Sequence, residues 1–212
     1  WVTALIVPSG RVYAIYDFDH DGESSMHGGW LCYRYSDDNG ATWNLVNLGT
    51  IFGWSFRWLQ DIIWDGSQFV VVGDSGTVVT SPDGINWTEQ TSPVTAHLRA
   101  ITFNGDMFIT IGNNGIIITS PDGINWAEQT SGTASGLLDI IWDGSQFVAV
   151  GNPYGEYFCI LTSSDGVNWT NHNNPSFRVS LSGIAWNGSD AFVAVGFSGA
   201  IVTSSDGAEW AK

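Results

Sequence analysis

The chain has 212 residues and a formal net charge of −15, with 21 acidic and 6 basic side chains. It is rich in Trp (12) and Gly (26) while only 13% of its residues are charged, which excludes a disordered chain, because disorder combines high net charge with few aromatic residues. Six basic side chains cannot form a nucleic-acid or anionic-membrane surface, no apolar run approaches the ~18 residues of a membrane span, and the net charge favours a monomer.

One unit is repeated five times along the sequence. The motif LQDIIWDGSQFVVVG at 59–73 returns as LRAITFNGDMFITIG at 98–112, as LLDIIWDGSQFVAVG at 137–151 and as LSGIAWNGSDAFVAVG at 181–196. A divergent first copy precedes them, and every copy closes on a tryptophan, about 42 residues from the next. The units therefore span about 1–47, 48–91, 92–130, 131–173 and 174–212, and the chain is predicted to form a single domain.

Each unit is predicted to contain four short strands. In the third unit the predicted strands are Leu98–Asn104, Met107–Ile111, Ile116–Thr119 and a fourth that contains Trp126 and ends near Gln129. Asn104-Gly105 indicates a two-residue hairpin, and the alternation places Leu98 with Ala100, opposite Ile101. No apolar period of 3.6 residues occurs, so we expect no helices. The fold class is all-β, a β-propeller of four-stranded antiparallel blades with five blades in this chain.

A short polar turn precedes each closing tryptophan. The first copy, SDDNGATW at 36–43, fits the Asp-box pattern Ser-x-Asp-x-Gly-x-Thr-Trp, and the other four copies are one residue shorter. The Asp carboxylate is expected to accept backbone N–H groups, Gly to supply the positive φ, and Trp to pack between neighbouring sheets. The structural positions are Ser36, Asp38, Gly40, Trp43, Ser81, Asp83, Gly84, Trp87, Ser120, Asp122, Gly123, Trp126, Ser163, Asp165, Gly166, Trp169, Ser204, Asp206, Gly207 and Trp210.

On these motifs the chain resembles the Asp-box (BNR-repeat) β-propellers, which include sialidases and photosystem II assembly-factor-like proteins. Copies two to five are similar to the assembly-factor-like group, with a Trp-x-Glu-Gln-Thr-Ser junction in copies two and three, and the first copy is similar to sialidase repeats. The resemblance implies that the Asp boxes lie on the face opposite the ligand site. It also implies an extracellular or periplasmic location.

The first unit carries an acidic segment between its second and third strands. Asp17, Asp19 and Asp21, followed by Gly22 and Glu23, match the opening of a Ca²⁺-binding loop, in which alternate carboxylates converge on a hard cation. The match ends there, because a residue that cannot ligate, Gly28, occupies the twelfth position. Ca²⁺ is the one cofactor the sequence suggests, and a solvated acidic loop is the alternative.

Ligand-binding candidates lie where the copies differ, in the loops between strands two and three and at the junctions between units. Exposed aromatic rings beside a few charged groups are typical of a polar ligand pocket, although Trp54 and Trp58 can equally cover an open end of the channel. The candidates are Trp54, Arg57, Trp58, His97, Arg99, Tyr154, Glu156, Tyr157 and Arg178.

No set of catalytic residues can be assigned from the sequence. A sialidase needs three arginines that converge on a carboxylate, a Tyr nucleophile and an Asp acid/base; the arginines available are Arg11, Arg34, Arg57, Arg99 and Arg178. We expect a non-catalytic propeller that recognises a glycan or a protein through its variable loop face. The alternatives are a sialidase-like glycoside hydrolase, or a fragment of one, and a structural or assembly scaffold.

Two further expectations concern the ring and the cysteines. The five units either close a ring, which we favour, or belong to a six- to eight-bladed propeller. Cys32 and Cys159 occupy equivalent positions in units that are not neighbours, so their Cα atoms are expected to lie beyond the ~7 Å limit for a disulfide. We expect two unpaired, mostly buried thiols.

Overall fold

The structure is a computed structural model. It describes residues 57–152, 159–172 and 179–211 together with Thr42, and the backbone alone of the strands within 3–6, 12–18, 30–36 and 44–47. All of the strands form antiparallel sheets, which we number 1 to 5 in chain order.

Four of the sheets have four strands, and within each sheet the strands follow one another in chain order. Sheet 1 contains β1 (Thr3–Ile6), β2 (Val12–Phe18), β3 (Trp30–Ser36) and β4 (Asn44–Asn47). Sheet 2 contains β5 (Leu59–Trp64), β6 (Phe69–Gly73), β7 (Val78–Ser81) and β8 (Thr88–Glu89). Sheet 3 contains β9 (Leu98–Phe103), β10 (Phe108–Gly112), β11 (Ile117–Ser120) and β12 (Ala127–Gln129). Sheet 4 contains β13 (Leu137–Trp142), β14 (Phe147–Gly151), β15 (Cys159–Ser163) and β16 (Thr170–Asn171).

Sheet 5 has three strands: β17 (Leu181–Trp186), β18 (Phe192–Gly196) and β19 (Ile201–Ser204). A bridge between Thr203 and Ala211 stands where the fourth strand begins in the other sheets. The first strands of consecutive sheets lie beside one another, so the sheets share an inner edge and radiate from it. The predicted all-β architecture of antiparallel four-stranded units is confirmed in its main lines.

The first hairpin of sheet 3 is wider than the sequence predicted. Phe103 pairs with Phe108, which leaves a four-residue turn rather than a two-residue one. The Asn104 side chain closes this turn, because its Oδ1 accepts the N–H groups of Asp106 (2.9 Å) and Met107 (2.8 Å). Gly105 has φ 104°, in the region that favours glycine.

The predicted face assignment of the first strand is wrong at Leu98. The register between β9 and β10 shifts, so that Gly112 pairs with Leu98 while Ile111 pairs with Ala100. This bulge adds Arg99 to the strand and rotates Leu98 to the opposite face. Leu98 is therefore buried with Ile101 between sheets 2 and 3, whereas Ala100 lies between sheets 3 and 4.

The described core lies between sheets rather than within one layer. Sheets 2 and 3 bury one cluster, sheets 3 and 4 a second, and sheets 4 and 5 a third. Each cluster combines branched aliphatic side chains of one sheet with Phe and Trp of the next; Phe192 and Trp210 of sheet 5, for example, pack on Val148 and Val150 of sheet 4. The predicted placement of the closing tryptophans between sheets is confirmed for Trp210 and its equivalents in sheets 3 and 4.

Three short 3₁₀ turns join second to third strands, at Asp74–Gly76, Asn113–Gly115 and Phe197–Gly199. In the described part of the chain these are the only helical segments, and none is long enough to span a membrane. Each turn places a non-glycine residue in the left-handed region, as at Asn114 with φ 60°. No periodic signal in the sequence predicts these turns, because a three-residue turn is too short to produce one.

Candidate functional site

The turns between second and third strands meet the junctions between units at one end of the sheets. The first residue of each turn donates its backbone N–H to the carbonyl oxygen of the junction residue that precedes the sheet. Equivalent bonds occur in sheets 2 to 5, with lengths from 2.8 to 3.0 Å: Asp74 to Trp58, Asn113 to His97, Asn152 to Gly136, and Phe197 to Ser180. We call these eight residues the rim.

The rim has one backbone conformation and four different sets of side chains. A glycine closes each second strand here because a Cβ would collide with the junction carbonyl; at Gly112 it would overlap the His97 oxygen. The backbone is therefore fixed by glycine, whereas the turn position is Asp, Asn, Asn and Phe in successive sheets. Variable side chains on a constant scaffold are typical of a recognition surface.

Hydrogen bonds hold the polar side chains of the rim in sheets 2 and 3, either to one another or to a neighbouring side chain. Asp74 Oδ1 accepts from Nδ1 of His97 at 2.8 Å and from Nε2 of Gln60 at 3.1 Å. Arg99 donates from Nε to Oδ1 of Asn113 at 3.1 Å. These bonds hold the polar side chains in fixed positions, and between sheets 4 and 5 Ser180 donates to Asn152 in the same way.

Two aromatic rings project from the rim into solvent. The exposed fraction is 57% for Trp58 and 67% for Phe197. Large rings held on a rigid backbone bury much area on binding at little cost in conformational entropy. The sequence-predicted candidates Trp58, His97 and Arg99 thus lie at the same end of the neighbouring sheets 2 and 3, and Phe197 lies at the equivalent end of sheet 5.

Arg57, another of the candidates, lies beside the outer half of sheet 2. Its Nη1 donates to Glu89 Oε1 at 2.8 Å and to Thr77 Oγ1 at 3.3 Å. Thr77 and Glu89 belong to the outer half of sheet 2, so Arg57 reaches away from the inner edge on which Arg99 lies. In the described bonds the two arginines donate to different acceptors, Arg57 to Glu89 and Thr77 and Arg99 to Asn113.

Several predicted site residues lie outside the described residues: Trp54, Tyr154, Glu156, Tyr157, Arg178, Asp19, Asp21 and Glu23. Asp17 lies within β2 and pairs with Leu31, so the strand extends further than the sequence indicated. In the described part of the chain, no three His, Cys, Asp or Glu residues are grouped as a metal site requires.

The turns before the closing tryptophans lie at the other end of the sheets, after the third strands. Asp122 is representative: its Oδ1 accepts the N–H groups of Ile124 (2.9 Å) and Asn125 (2.8 Å), and its Oδ2 accepts from the Asn125 amide (2.7 Å). Gly123 has φ 73°, and Trp126 donates to its carbonyl oxygen. The hydrogen bonds and the positive φ predicted for this turn are confirmed here.

The acidity of the turn carboxylates follows from these bonds. The N–H of Asn125 is the largest cause of a lowered pKa at Asp122, and Asn168 does the same for Asp165. At Asp83 burial raises the pKa, but the N–H groups of Asn86 and Ile85 outweigh it and hold the pKa at about 2. These aspartates are therefore structural acceptors in the described turns.

The sequence reasoning missed two buried carboxylates on the inner edge, Asp61 and Asp139. Asp61 accepts the N–H of Ile62 (2.8 Å) on one oxygen and the N–H of Ile101, in sheet 3, on the other (2.9 Å). Asp139 repeats the arrangement between sheets 4 and 5 with Ile184. Both carboxylates accept N–H groups on the inward-facing side of first strands. No neighbouring strand of the same sheet lies on that side to accept them.

Burial raises the pKa of Asp61 to about 6, although the hydrogen bonds from Ile101 and Ile62 lower it, and the charge of Asp139 raises it further. Burial also raises the pKa of Asp139. A raised pKa often marks a catalytic acid, but here both oxygens of each carboxylate are occupied by backbone N–H groups. The sequence contained a signal for these carboxylates. Asp61 and Asp139 occupy the third position of LQDIIW and LLDIIW, where the equivalent segment LRAITF has Ala100.

No protein-family model and no curated protein matches the sequence. Many solved structures match the fold. YCF48 bound to D1 peptide is 21% identical, with 89% of this chain and 65% of that chain covered at a TM-score of 0.65. The nidogen/laminin complex is 12% identical, with coverage of 87% and 74% and a TM-score of 0.60. Trypanosoma rangeli sialidase in complex with sialic acid is 14% identical, with coverage of 97% and 46% and a TM-score of 0.55.

At these identities the likeness shows the fold, a β-propeller, and no activity. The chain spans about 65% of the YCF48 chain and less than half of the sialidase chain.

Proposed function

We propose that the chain is a non-catalytic interaction propeller of the Asp-box type, that its five sheets are five blades, and that it binds a protein segment at the rim. The observation that carries this proposal is the rim itself: one repeated backbone conformation presents different side chains from sheets 2 to 5, with Trp58 exposed. Rigid aromatic anchors beside fixed polar groups are the usual composition of a protein-binding hot spot.

The partners of the charged groups support binding rather than catalysis. His97 pairs with Asp74, Arg57 with Glu89, and the two buried carboxylates each bind two N–H groups. A sialidase site needs three arginines on one carboxylate, whereas Arg57 and Arg99 serve separate partners. The rim groups therefore suit recognition of peptide polar atoms, in which hydrogen bonds are made and no bond is broken.

Two of the similar structures have names that record a macromolecular partner, D1 peptide for YCF48 and laminin for nidogen. A glycan ligand is the second candidate, because the fold also matches a sialidase in complex with sialic acid, and a ring as exposed as Trp58 can stack on a sugar. Ca²⁺ binding by Asp17, Asp19, Asp21 and Glu23 and an extracellular location remain separate predictions.

The experiment uses a displayed library of random 12-residue peptides, selected on the immobilised chain, with a glycan array probed in parallel. Selected peptides are then titrated against Trp58→Ala and Arg99→Ala, and against Ile124→Ala as the matched control. Ile124 is an exposed apolar residue (49%) at the opposite end of sheet 3, in the turn before Trp126.

We expect Kd to rise at least ~10-fold for Trp58→Ala, the loss typical of an aromatic anchor, and to stay within about 2-fold for Ile124→Ala. Peptides that bind Trp58→Ala as tightly as the wild type would contradict the proposed site. Binding on the glycan array that depends on Trp58, without any peptide selected, would favour the glycan ligand instead.

A further inference from the structure

The same five-residue sequence, FVAVG, forms the second strand of sheets 4 and 5, yet it is buried differently in the two. Val148 and Val150 of sheet 4 are 0% exposed, while the equivalent Val193 and Val195 of sheet 5 are 38% and 45% exposed. Local sequence cannot cause this difference, because it is identical. The difference arises from what covers the outer-facing side of each sheet.

This side of sheet 5 is an apolar face that we define by Val193, Val195 and Ile201. Ile201, 59% exposed, pairs with Val195, and the Val195 side chain also lies over Gly183 on the first strand. In sheets 2, 3 and 4 the three equivalent side chains are fully buried under the sheet that follows. The Phe and Trp residues of that following sheet cover them in each case.

The described interfaces between sheets are of two kinds, one with two polar bonds at its edge and one that is apolar there. The face of sheet 5 matches the apolar kind. From sheet 2 to sheet 3, Asp61 accepts the Ile101 N–H, and Gln68 donates to the Asp122 carbonyl at 2.8 Å. From sheet 4 to sheet 5, Asp139 and Gln146 make the same two bonds.

From sheet 3 to sheet 4 the two positions are Ala100 and Met107, and both pack into the apolar cluster. Sheet 5 has Gly183 and Ala191 at these positions, again without a polar group. Its face therefore requires an apolar partner of the kind that sheet 4 offers to sheet 3.

The rim position of sheet 5 independently indicates that a further unit contacts this sheet. Asp74 and Asn152 each bond a junction side chain of the following sheet, His97 and Ser180 respectively. Phe197 occupies the equivalent position in sheet 5 and is 67% exposed. The apolar face of sheet 5 is thus equivalent to faces that contact the next unit in sheets 2, 3 and 4, and its rim position is equivalent to positions that do so in sheets 2 and 4.

We propose that the exposed face of sheet 5 is the docking surface for a further four-stranded sheet of this same repeat, joined to sheet 5 within one polypeptide. The occupant presents a Phe and two Trp in the positions of Phe147, Trp142 and Trp169 of sheet 4, which pack on sheet 3. Each described interface forms between units that are consecutive in the chain, and a short junction keeps the effective concentration of the next sheet high. The five sheets are then part of a longer ring.

The first test compares Val150→Thr with Val195→Thr, an isosteric change in identical FVAVG segments. Val150→Thr places an unpaired hydroxyl in the core between sheets 4 and 5, and we expect Tm to fall by roughly 3–6 °C. Val195→Thr is expected to change Tm by less than about 1 °C in the 212-residue chain. An equal fall at both sites would show that sheet 1 covers the face in a closed five-sheet ring, and would overturn the proposal.

The second test adds the proposed further sheet. Residues 128–172 are appended directly after Ala211, which bridges Thr203 as Ala127 pairs with Thr119 in sheet 3. The extension thereby completes the fourth strand of sheet 5 and adds a unit of the sheet 4 type. We expect a higher Tm, and in the extended chain Val195→Thr should now lower Tm by roughly 3–6 °C.

The matched control carries Phe147→Ser and Trp142→Ser in the appended copy only, and it should leave Val195→Thr without effect. If Val195→Thr is tolerated equally in the extended and the original chain, the proposal is overturned. A dimer of the 212-residue chain in sedimentation velocity that Val195→Asp dissociates would also overturn it, because the occupant would then be a second copy.

Discussion

Substitution of Asp61 by Asn tests whether burial or hydrogen bonding dominates the inner edge of the propeller. Asn is close to Asp in shape and keeps one acceptor oxygen, but it does not titrate. In the wild type, burial raises the pKa of Asp61 from 3.8 to about 6. A group whose pKa is higher in the folded than in the unfolded protein holds its proton more tightly when folded.

The sign of the pH dependence follows from this. Between about pH 3.8 and about pH 6 the folded protein binds more protons at Asp61 than the unfolded chain, so the free energy of unfolding decreases as pH rises. A shift of about two pKa units corresponds to about 3 kcal/mol at most, at 1.36 kcal/mol per unit. Asp139, whose pKa burial also raises, acts in the same direction.

The assay is urea unfolding followed by tryptophan fluorescence at several pH values from 4 to 7.5. The window lies above the range in which the turn aspartates are protonated; the pKa of Asp83, for example, is about 2. The difference in unfolding free energy, wild type minus Asp61→Asn, should fall by up to about 3 kcal/mol across the window. A flat or rising difference would refute the reasoning, because the two N–H bonds to Asp61 would then outweigh its burial.

Three further predictions concern the turns and the core. Asp122→Ala removes the acceptor for the turn N–H groups and should lower the unfolding free energy by about 1–3 kcal/mol in urea, whereas Asp106→Ala, in an exposed turn, should change it by no more than about 0.5. Gly112→Ala should cost about 2 kcal/mol or more, because its Cβ meets a carbonyl oxygen, while at Gly136 a Cβ meets nothing within 4 Å and Ala should be tolerated; equal effects would contradict this. Cys159 is unpaired and buried, and burial raises the pKa of its thiol, so Ellman's reagent should react only as fast as the protein unfolds; rapid labelling of the folded chain would disprove this.

Repetition explains why much of the fold could be predicted from the sequence. Five copies in phase define the strands and turns, and the bonding of the turn at Asp122 follows from local chemistry within four residues. The predicted unpaired state of Cys159 is confirmed, and the side chain of Cys32 lies outside the described residues. Local rules of this kind need no knowledge of the neighbouring units.

The features that sequence reasoning missed depend on contacts beyond a single strand or turn. The bulge that rotates Leu98 is set by the pairing of β9 with β10, and Asp61 accepts an N–H group from Ile101 of the next sheet, 40 residues away. At the candidate site, Trp58, His97 and Arg99 were predicted from their place at the junctions. Asp74, the acceptor that His97 and Gln60 share, was not, because its turn carried no motif.

The most direct test of the central claim, recognition of a protein segment at the rim, is hydrogen–deuterium exchange of the 212-residue chain with and without a library-selected peptide. We expect slower exchange on binding at residues 58–60, 74–77 and 97–99, and unchanged exchange at 83–86 and 122–125 at the opposite end. Protection confined to the opposite end, or absent from the rim, would contradict the account.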